Sequence, residues 1–155
     1  MSAAVPLVIG SVAYTPNVVT IWEGMRNRPV IPAVGRRVTV PWQLGEYAIP
    51  ADTAVGISIL LLHHRDDLYP DPFAFRPERW EGTSKPGTYT WIPFGGGIRR
   101  CLGATLAMAE QRVVLTAMAR HTDLVAEDAA PETAVHRNVT MIPRHGARAV
   151  LVART

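Results

Sequence analysis

The residue with the clearest chemical potential is Cys101, the only cysteine in the sequence. It lies in the segment Phe94–Gly103, after three consecutive glycines and two arginines and directly before a long apolar stretch. Glycines let a flat ligand approach the backbone closely, while arginines and the amides of a helix N-terminus favour a thiolate. A thiolate in this setting is a nucleophile or a metal ligand, whereas an isolated cysteine elsewhere is most often a small buried hydrophobe.

Three kinds of site use a thiolate in these roles. A nucleophile needs a general base, and although the sequence has five histidines, none lies in a recognisable partner motif. A zinc site needs about four cysteine and histidine ligands, which one cysteine without spaced histidines does not supply. A haem needs a single protein ligand for its iron and carries two propionates that arginines can bind. The residues around Cys101 therefore favour haem–thiolate coordination.

The elements that must position this loop are predicted from hydrophobic periodicity and from the prolines. Thr15 and Pro16 predict a helix start, and Pro29 ends that helix. The prolines between residues 66 and 93 predict a long non-helical meander, and Ile59–His64 fits a strand or a short helix equally well. The other predicted elements are a short amphipathic helix over Val18–Met25, strands over Val38–Val40, Ala54–Ile57, Val139–Ile142 and Ala149–Val152, and a helix over Leu102–His121.

Length and composition set limits on the whole molecule. The chain has 155 residues, a formal net charge of +3 and 48% hydrophobic residues, with no block of like charges. This composition excludes a disordered or coiled-coil protein and gives no nucleic-acid footprint. The single cysteine excludes an internal disulfide and fits a reducing cytosol, and no stretch resembles a membrane anchor or a signal peptide. We therefore expect a cytoplasmic protein.

The helix predicted over Leu102–His121 has only a narrow polar stripe, formed by Thr105, Arg112, Thr116 and Arg120. A helix that is apolar around most of its circumference is typical of the interior of a large protein. A chain of 155 residues offers little surface to cover such a helix. The sequence therefore indicates that this chain is part of something larger.

Four motifs, in order along the chain, resemble those of the cytochrome P-450 superfamily. Phe94–Gly103 fills every fixed position of its haem-binding signature, F-x-x-G-x-R-x-C-x-G. Glu23–Arg26 is similar to its E-x-x-R motif, Phe75–Trp80 to its P-E-R-F/W segment, and residues 64–72 to the H-R-D-P and Y-P-D-P stretch between them. The resemblance implies an α+β chain, the C-terminal part of the mainly helical cytochrome P-450 fold. Its expected order is a short helix, a small β-sheet, a long meander, the cysteine loop, a buried helix and short β-strands.

The resemblance implies that Cys101 is the proximal ligand of the iron of haem b, an iron protoporphyrin. By the same resemblance, Phe94 shields the sulfur, and the amides of Leu102 and Gly103 donate hydrogen bonds to it. Gly95 and Gly97 make room for the ring. Arg99 and Arg36 bind the propionates. Arg37 is the less favoured substitute for Arg36.

The resemblance also implies a buried charge triad, formed by Glu23, Arg26 and Arg79, that fixes the cysteine loop. Taken alone, a glutamate and an arginine three positions apart on a helix are most often a solvated ion pair worth roughly a few tenths of a kcal/mol. Arg100 and Arg112 are expected to meet an acidic electron donor by electrostatic steering, with ordinary solvated arginines as the alternative.

The activity that the resemblance implies is that of a haem–thiolate monooxygenase. Such an enzyme oxidises a small apolar organic substrate with O2, using electrons from a ferredoxin or flavodoxin-like donor and its reductase. The distal helix with its acid–alcohol pair is expected before Glu23, so no catalytic residue is assigned to this chain. Residues 1–14 are expected to form a lead-in and residues 15–155 the C-terminal haem-binding portion. The alternative is a truncated, non-catalytic remnant that binds haem weakly or not at all.

Overall fold

The computed structural model describes residues 18–82, 86–127, 130 and 132–154. Within them the chain forms three α-helices, single 3-10 turns over Pro77–Trp80 and Gly97–Arg99, and four separate antiparallel strand pairs. The helices and strands are α1 (Val18–Asn27), β1 (Ala33–Arg37), β2 (Trp42–Leu44), β3 (Tyr47–Ile49), β4 (Ala54–Ser58), α2 (Ile59–His63), α3 (Ala104–His121), β5 (Thr122–Ala126), β6 (Ala134–Arg137), β7 (Thr140–Pro143) and β8 (Ala149–Arg154). The predicted α+β class is confirmed. The predicted lead-in and the helix start at Thr15 and Pro16 lie outside the described residues.

Helix α1 packs one face against the meander that follows α2. Val19 of this face is buried in a cluster with Tyr69 and Trp80 of the meander. Trp22 contacts Trp80 edge to face, with ring centroids 6.1 Å apart, and the Tyr69 ring lies 5.8 Å from that of Trp80. Aromatic side chains bury large areas and gain from such edge contacts. This cluster therefore fixes the meander to α1.

Strand β1 lies just before the segment that the sequence predicts as a strand. It pairs with β4 in the register Ala33 opposite Ser58 and Arg37 opposite Ala54. The prediction of a strand over Val38–Val40 is wrong because the partner strand begins only at Ala54, after a turn in which Asp52 has a positive φ of 65°. The strand predicted over Ala54–Ile57 is confirmed as β4.

The remaining strands form local hairpins and one long-range pair. Strands β2 and β3 meet across a two-residue turn in which Gly45 has a φ of 58°, a conformation that hairpin turns favour. Strands β6 and β7 pair around Asn138, whose φ is 55°, so Val139 of the predicted strand lies in the turn. Strand β8 confirms the prediction at Ala149 and pairs with β5, which the sequence analysis missed.

The segment after β4 is a short helix, which decides between the two predicted structures. The Ser58 hydroxyl accepts a hydrogen bond of 3.1 Å from the backbone N–H of Leu61. A serine in this position caps the first turn and satisfies an amide that has no partner within the helix. Helix α2 therefore starts at Ile59, which is completely buried, and ends at His63, which is also buried.

Helix α3 forms where predicted but is not buried in this chain. Only Ala104 of its residues is buried, whereas Leu106, Val113 and Val114 are 63%, 70% and 54% exposed. The described chain packs on this helix mainly from α1 and β5, so most of its apolar surface has no cover. No helix in the described ranges combines the length and apolar character that a membrane span requires.

Candidate functional site

The cysteine loop is shaped by glycine conformations and closed by one backbone hydrogen bond. Gly95 and Gly97 have positive φ angles of 70° and 63°, which residues with a Cβ adopt at a cost. The backbone N–H of Cys101 donates to the carbonyl of Phe94 at 2.9 Å. This bond closes the loop around the single 3-10 turn at Gly97–Arg99 and places Cys101 just before α3.

The sulfur lies on an open, apolar surface. Cys101 is exposed, and the side chains of Ile98 and Leu102 on either side of it are 100% and 103% exposed. A Cβ added at Gly95 or Gly97 would meet nothing within 4 Å. A soft thiolate ligand beside an accessible apolar surface fits a flat apolar cofactor that carries iron. The residues present therefore fit a haem.

Phe94 connects this loop to the aromatic residues of the fold. It is half-buried, and its ring lies 6.3 Å from that of Trp91 in an edge-to-face contact. The indole N–H of Trp91 donates to the carbonyl of Trp22 on α1 at 3.0 Å. Gly103 lies close to the sulfur, since a Cβ added there would be 3.8 Å from Cys101 Sγ. Sulfur hydrogen bonds from the amides of Leu102 and Gly103 stay a prediction.

The arginines predicted to bind propionates lie on two elements. Arg99 is exposed on the 3-10 turn of the cysteine loop. Arg36 is exposed on β1, where its guanidinium donates to the carbonyl of Gly35 at 2.7 Å. Arg37 faces Asp52 at 3.8 Å, with both side chains mostly exposed. The roles of Arg99 and Arg36 toward a propionate stay predictions.

The structure brings the three residues of the predicted triad together. Arg26 donates two parallel hydrogen bonds to Glu23, of 2.8 and 2.7 Å, and neither side chain is exposed. Arg79 Nε donates to Glu23 Oε1 at 3.1 Å, and the indole N–H of Trp80 donates to Oε2 at 3.0 Å. Burial alone raises the pKa of Glu23, but the hydrogen bonds from Arg26 and the Arg76 backbone outweigh it and hold the pKa below its usual value.

The two arginines also bind backbone carbonyl groups of the meander and of the end of α2. Arg26 donates to the carbonyl of Pro72 at 2.8 Å and to that of His63 at the same distance. Arg79 donates to the carbonyls of Pro70 and Asp71 at 3.0 and 3.3 Å. These bonds satisfy backbone acceptors that lack a partner in a helix or sheet. The triad thus fixes α1 to the meander, and its effect on the cysteine loop stays a prediction.

His63 is the residue of this region that sequence reasoning missed. Its side chain is fully buried, and its Nε2 accepts a hydrogen bond of 2.9 Å from the backbone N–H of Ile92. Burial lowers the pKa of His63 to about 4. The only signal in the sequence is a histidine at the end of the apolar segment Ile59–Leu62, and no spacing relates it to Ile92.

Comparisons with known proteins agree with this arrangement. The profile of the family described as Cytochrome P450 matches residues 10–149. The chain is 39% identical over 139 residues to cytochrome P450 137 of Mycobacterium tuberculosis, an alignment that covers 90% of this chain and 29% of that protein. It is 44% identical over 135 residues to cytochrome P450 138 of Mycobacterium bovis, covering 86% and 30%. The chain spans just under a third of the length of these curated relatives.

Solved structures give the same result. Cyanobacterial CYP120A1 with bound retinoic acid superposes with a TM-score of 0.78 and 27% identity, over 88% of this chain and 32% of that one. CYP175A1 from Thermus thermophilus superposes with a TM-score of 0.75 and 32% identity, over 90% and 35%. These matches confirm the resemblance and the fold that the sequence motifs imply. Because the family profile matches most of its length, the chain belongs to the cytochrome P450 family.

Proposed function

We propose that residues 15–155 form the haem-binding portion of a haem–thiolate monooxygenase and that Cys101 is the protein ligand of its haem iron. The observation that carries this proposal is the loop itself. Cys101 is exposed, the nearby side chains of Ile98 and Leu102 are fully exposed, and a Cβ added at Gly95 or Gly97 would meet nothing within 4 Å. Apolar surface of this kind is costly to leave in water, and a flat apolar ring would cover it.

Residues of the loop and of β1 bind and protect the cofactor. Cys101 would hold the iron through its sulfur, and the hydrogen bond from its backbone N–H to the carbonyl of Phe94 holds the sulfur-bearing backbone in place. Phe94, half-buried against Trp91, shields the sulfur from water. Arg99 and Arg36 offer guanidinium groups to the propionates by charge-assisted hydrogen bonds. When bound, haem b supplies the O2 activation, which a cysteine ligand directs toward O–O cleavage.

The proposed reaction inserts one oxygen atom of O2 into a small apolar organic substrate and, with two electrons and two protons, reduces the other oxygen atom to water. Its electrons come from a ferredoxin or flavodoxin-like donor and a reductase, and we assign no catalytic residue to this chain. Arg100 and Arg112 are exposed on the loop and on α3, where an acidic donor could dock. Electrostatic steering of this kind weakens with salt. Reversing the charge in Arg112→Glu should therefore slow electron delivery at low salt. An unchanged rate would contradict docking of the donor at Arg112.

The test of the iron ligand is the absorption spectrum of the reduced, carbon-monoxide-bound form after addition of haem. We expect the red-shifted Soret band of an iron–thiolate site in the unmodified chain. Cys101→Ser should lose this band. Thr105→Ala is the matched control, because Thr105 is exposed one turn away in α3 and has no assigned role. A band of equal position and height in Cys101→Ser overturns the proposal.

The second candidate is a non-catalytic remnant that binds haem weakly or not at all. The exposed apolar surface of α3 favours it, since Leu106, Val113 and Val114 stay mostly exposed in the described chain. Exposed apolar surface on this scale promotes association. The same spectrum separates the two candidates, because a chain that is folded but never gives the red-shifted band is the remnant.

A further inference from the structure

His63 contacts both the buried ion pair and the segment that leads into the cysteine loop. Its backbone carbonyl accepts a hydrogen bond of 2.8 Å from Arg26, whose guanidinium also holds Glu23. Its ring nitrogen Nε2 accepts one of 2.9 Å from the backbone N–H of Ile92, 29 positions away in sequence. One residue therefore joins α1, the end of α2 and the segment that leads into the loop.

The backbone after Ile92 carries this connection to the cysteine. The carbonyl of Ile92 accepts a hydrogen bond of 2.9 Å from Gly95, which starts the loop. The carbonyl of Phe94 accepts the bond of 2.9 Å from Cys101 that closes it. These backbone bonds relate the position of the sulfur to the ring of His63.

The bond to Ile92 requires a neutral ring. A backbone N–H can only donate, so Nε2 must offer its lone pair and the ring proton lies on Nδ1. Nδ1 is buried and has no hydrogen-bond partner within the described ranges, which costs stability. The ring therefore occupies a position that satisfies Ile92 and leaves its own second nitrogen without a bond.

The surroundings of His63 keep it in this state. Burial is the main reason that its pKa falls to about 4; the backbone of Arg26 acts in the opposite direction, whereas electrostatic repulsion from the Arg26 guanidinium and from His64 lowers the pKa further. Glu23 lies behind Arg26 and pairs with it. Tyr69 faces the ring from the meander, edge to face at 6.5 Å between centroids.

We propose that His63 is a positioning residue for the haem site: its Nε2 holds the backbone of Ile92, and with it the loop that carries Cys101, in place on the buried Glu23–Arg26 pair. This proposal rests on the proposed function only in naming Cys101 as the iron ligand. His63 touches no reacting atom, and it acts through the geometry of the loop.

The first experiment measures amide hydrogen exchange in the full chain without haem. His63→Phe keeps an aromatic ring but removes the acceptor, and should speed exchange at Ile92 and Cys101 by roughly tenfold or more. His63→Gln offers a side-chain oxygen at a similar reach and should stay within about threefold of the unmodified chain. Amides of the β5–β8 pair serve as the internal control and should not change.

The second experiment follows the same exchange ratio, Ile92 against the β5–β8 amides, as a function of pH. In the unmodified chain it should rise as the pH falls through about 4, because a protonated ring cannot accept a hydrogen bond. In His63→Gln this rise should be absent. If His63→Phe does not fold, this pair of profiles decides. Equal exchange in the Phe variant and the unmodified chain, or equal pH profiles in the Gln variant and the unmodified chain, overturns the proposal.

The third experiment separates this proposal from the proposed function. With haem added, His63→Phe should give a smaller share of the red-shifted reduced carbon-monoxide band than His63→Gln. If the unmodified chain gives no such band while the exchange results hold, the iron–thiolate proposal fails and the anchoring of the loop by His63 stands. If the band forms normally in all three proteins and exchange is unaltered, only the role of His63 is overturned.

Discussion

Arg26 donates two parallel hydrogen bonds to Glu23 in the interior, from Nε to Oε2 at 2.8 Å and from Nη2 to Oε1 at 2.7 Å, and neither side chain is exposed. The remaining donors of Arg26 bind the backbone carbonyl of His63 at the end of α2 and two carbonyls of the meander. A buried charge needs both its partner and its other hydrogen bonds to be tolerated. The pair therefore makes the meander and α1 dependent on each other.

Glu23→Gln removes the negative charge and leaves the guanidinium of Arg26 buried without compensation. We expect a loss of about 3–5 kcal/mol in the free energy of unfolding, as for other broken buried pairs. Urea unfolding curves measure it. Glu78→Gln is the matched control, because Glu78 pairs with Arg76 at 3.0 Å on the surface and should cost at most about 1 kcal/mol. Similar losses in the two variants would show that the buried pair stabilises the fold no more than the surface pair does.

Arg79→Ala removes one of the two arginines of the triad, together with the hydrogen bonds of Arg79 to the meander. Because Arg79 holds Glu23 together with the carbonyls of Pro70 and Asp71, we expect haem-free or aggregated protein. Haem per chain, from absorbance and protein concentration, is the measurement. Arg76→Ala keeps the backbone N–H that donates to Glu23 and should retain haem. Normal haem content in Arg79→Ala contradicts the role of the triad.

The two neighbouring arginines of β1 should differ in their effect on haem. Arg37 faces Asp52, whereas the guanidinium of Arg36 contacts only a carbonyl next to it among its described hydrogen bonds. We expect Arg36→Ala to release haem to a scavenging protein roughly tenfold faster than the unmodified chain, because the variant loses one charge-assisted hydrogen bond to the haem. Arg37→Ala should release it at a nearly unchanged rate. The reverse ranking moves the assignment to Arg37.

The free energy of unfolding should fall as the pH is lowered through the range in which His63 takes up a proton. Its pKa is about 4 in the folded chain, through burial, against an ordinary value of 6.5. Between these values the unfolded chain binds a proton that the folded chain does not, so the free energy of unfolding declines as the pH drops from about 6.5 to about 4. The decline attributable to His63 should be about 3 kcal/mol.

His63→Gln should lose this part of the decline, since glutamine does not titrate. Glu23 contributes a separate decline at lower pH, because its pKa lies below 4.5 and the carboxylate must be protonated. Urea midpoints at several pH values distinguish the two. A decline between pH 6.5 and 4 that is the same with and without His63 shows that other groups cause it.

Features encoded by neighbouring residues were predictable from the sequence. The periodicity of Val18–Met25 indicates α1, and the glycines beside Cys101 indicate a loop with unusual backbone angles. The triad residues were identified through motifs of a known family, because Arg26 and Arg79 lie far apart in the chain and no local pattern relates them. Physical chemistry then explains the contacts that the structure shows.

Features that depend on distant partners were not predictable. Strand β1 is set by where its partner β4 begins after the turn at Asp52, so the β-branched residues Val38–Val40 were a misleading signal. The acceptor role of His63 depends on Ile92, which reaches it only through the path of the meander. The exposure of α3 was anticipated, because its nearly continuous apolar pattern needs more cover than 155 residues offer, but which of its side chains stay covered depends on α1 and β5.

The most direct measurement is iron K-edge X-ray absorption on the chain after addition of haem. We expect one sulfur neighbour bound to the iron besides the porphyrin nitrogens, lost when Cys101 is replaced by serine and kept in Thr105→Ala. An iron surrounded by nitrogen and oxygen alone in the unmodified chain, or a sulfur neighbour that persists in Cys101→Ser, contradicts it.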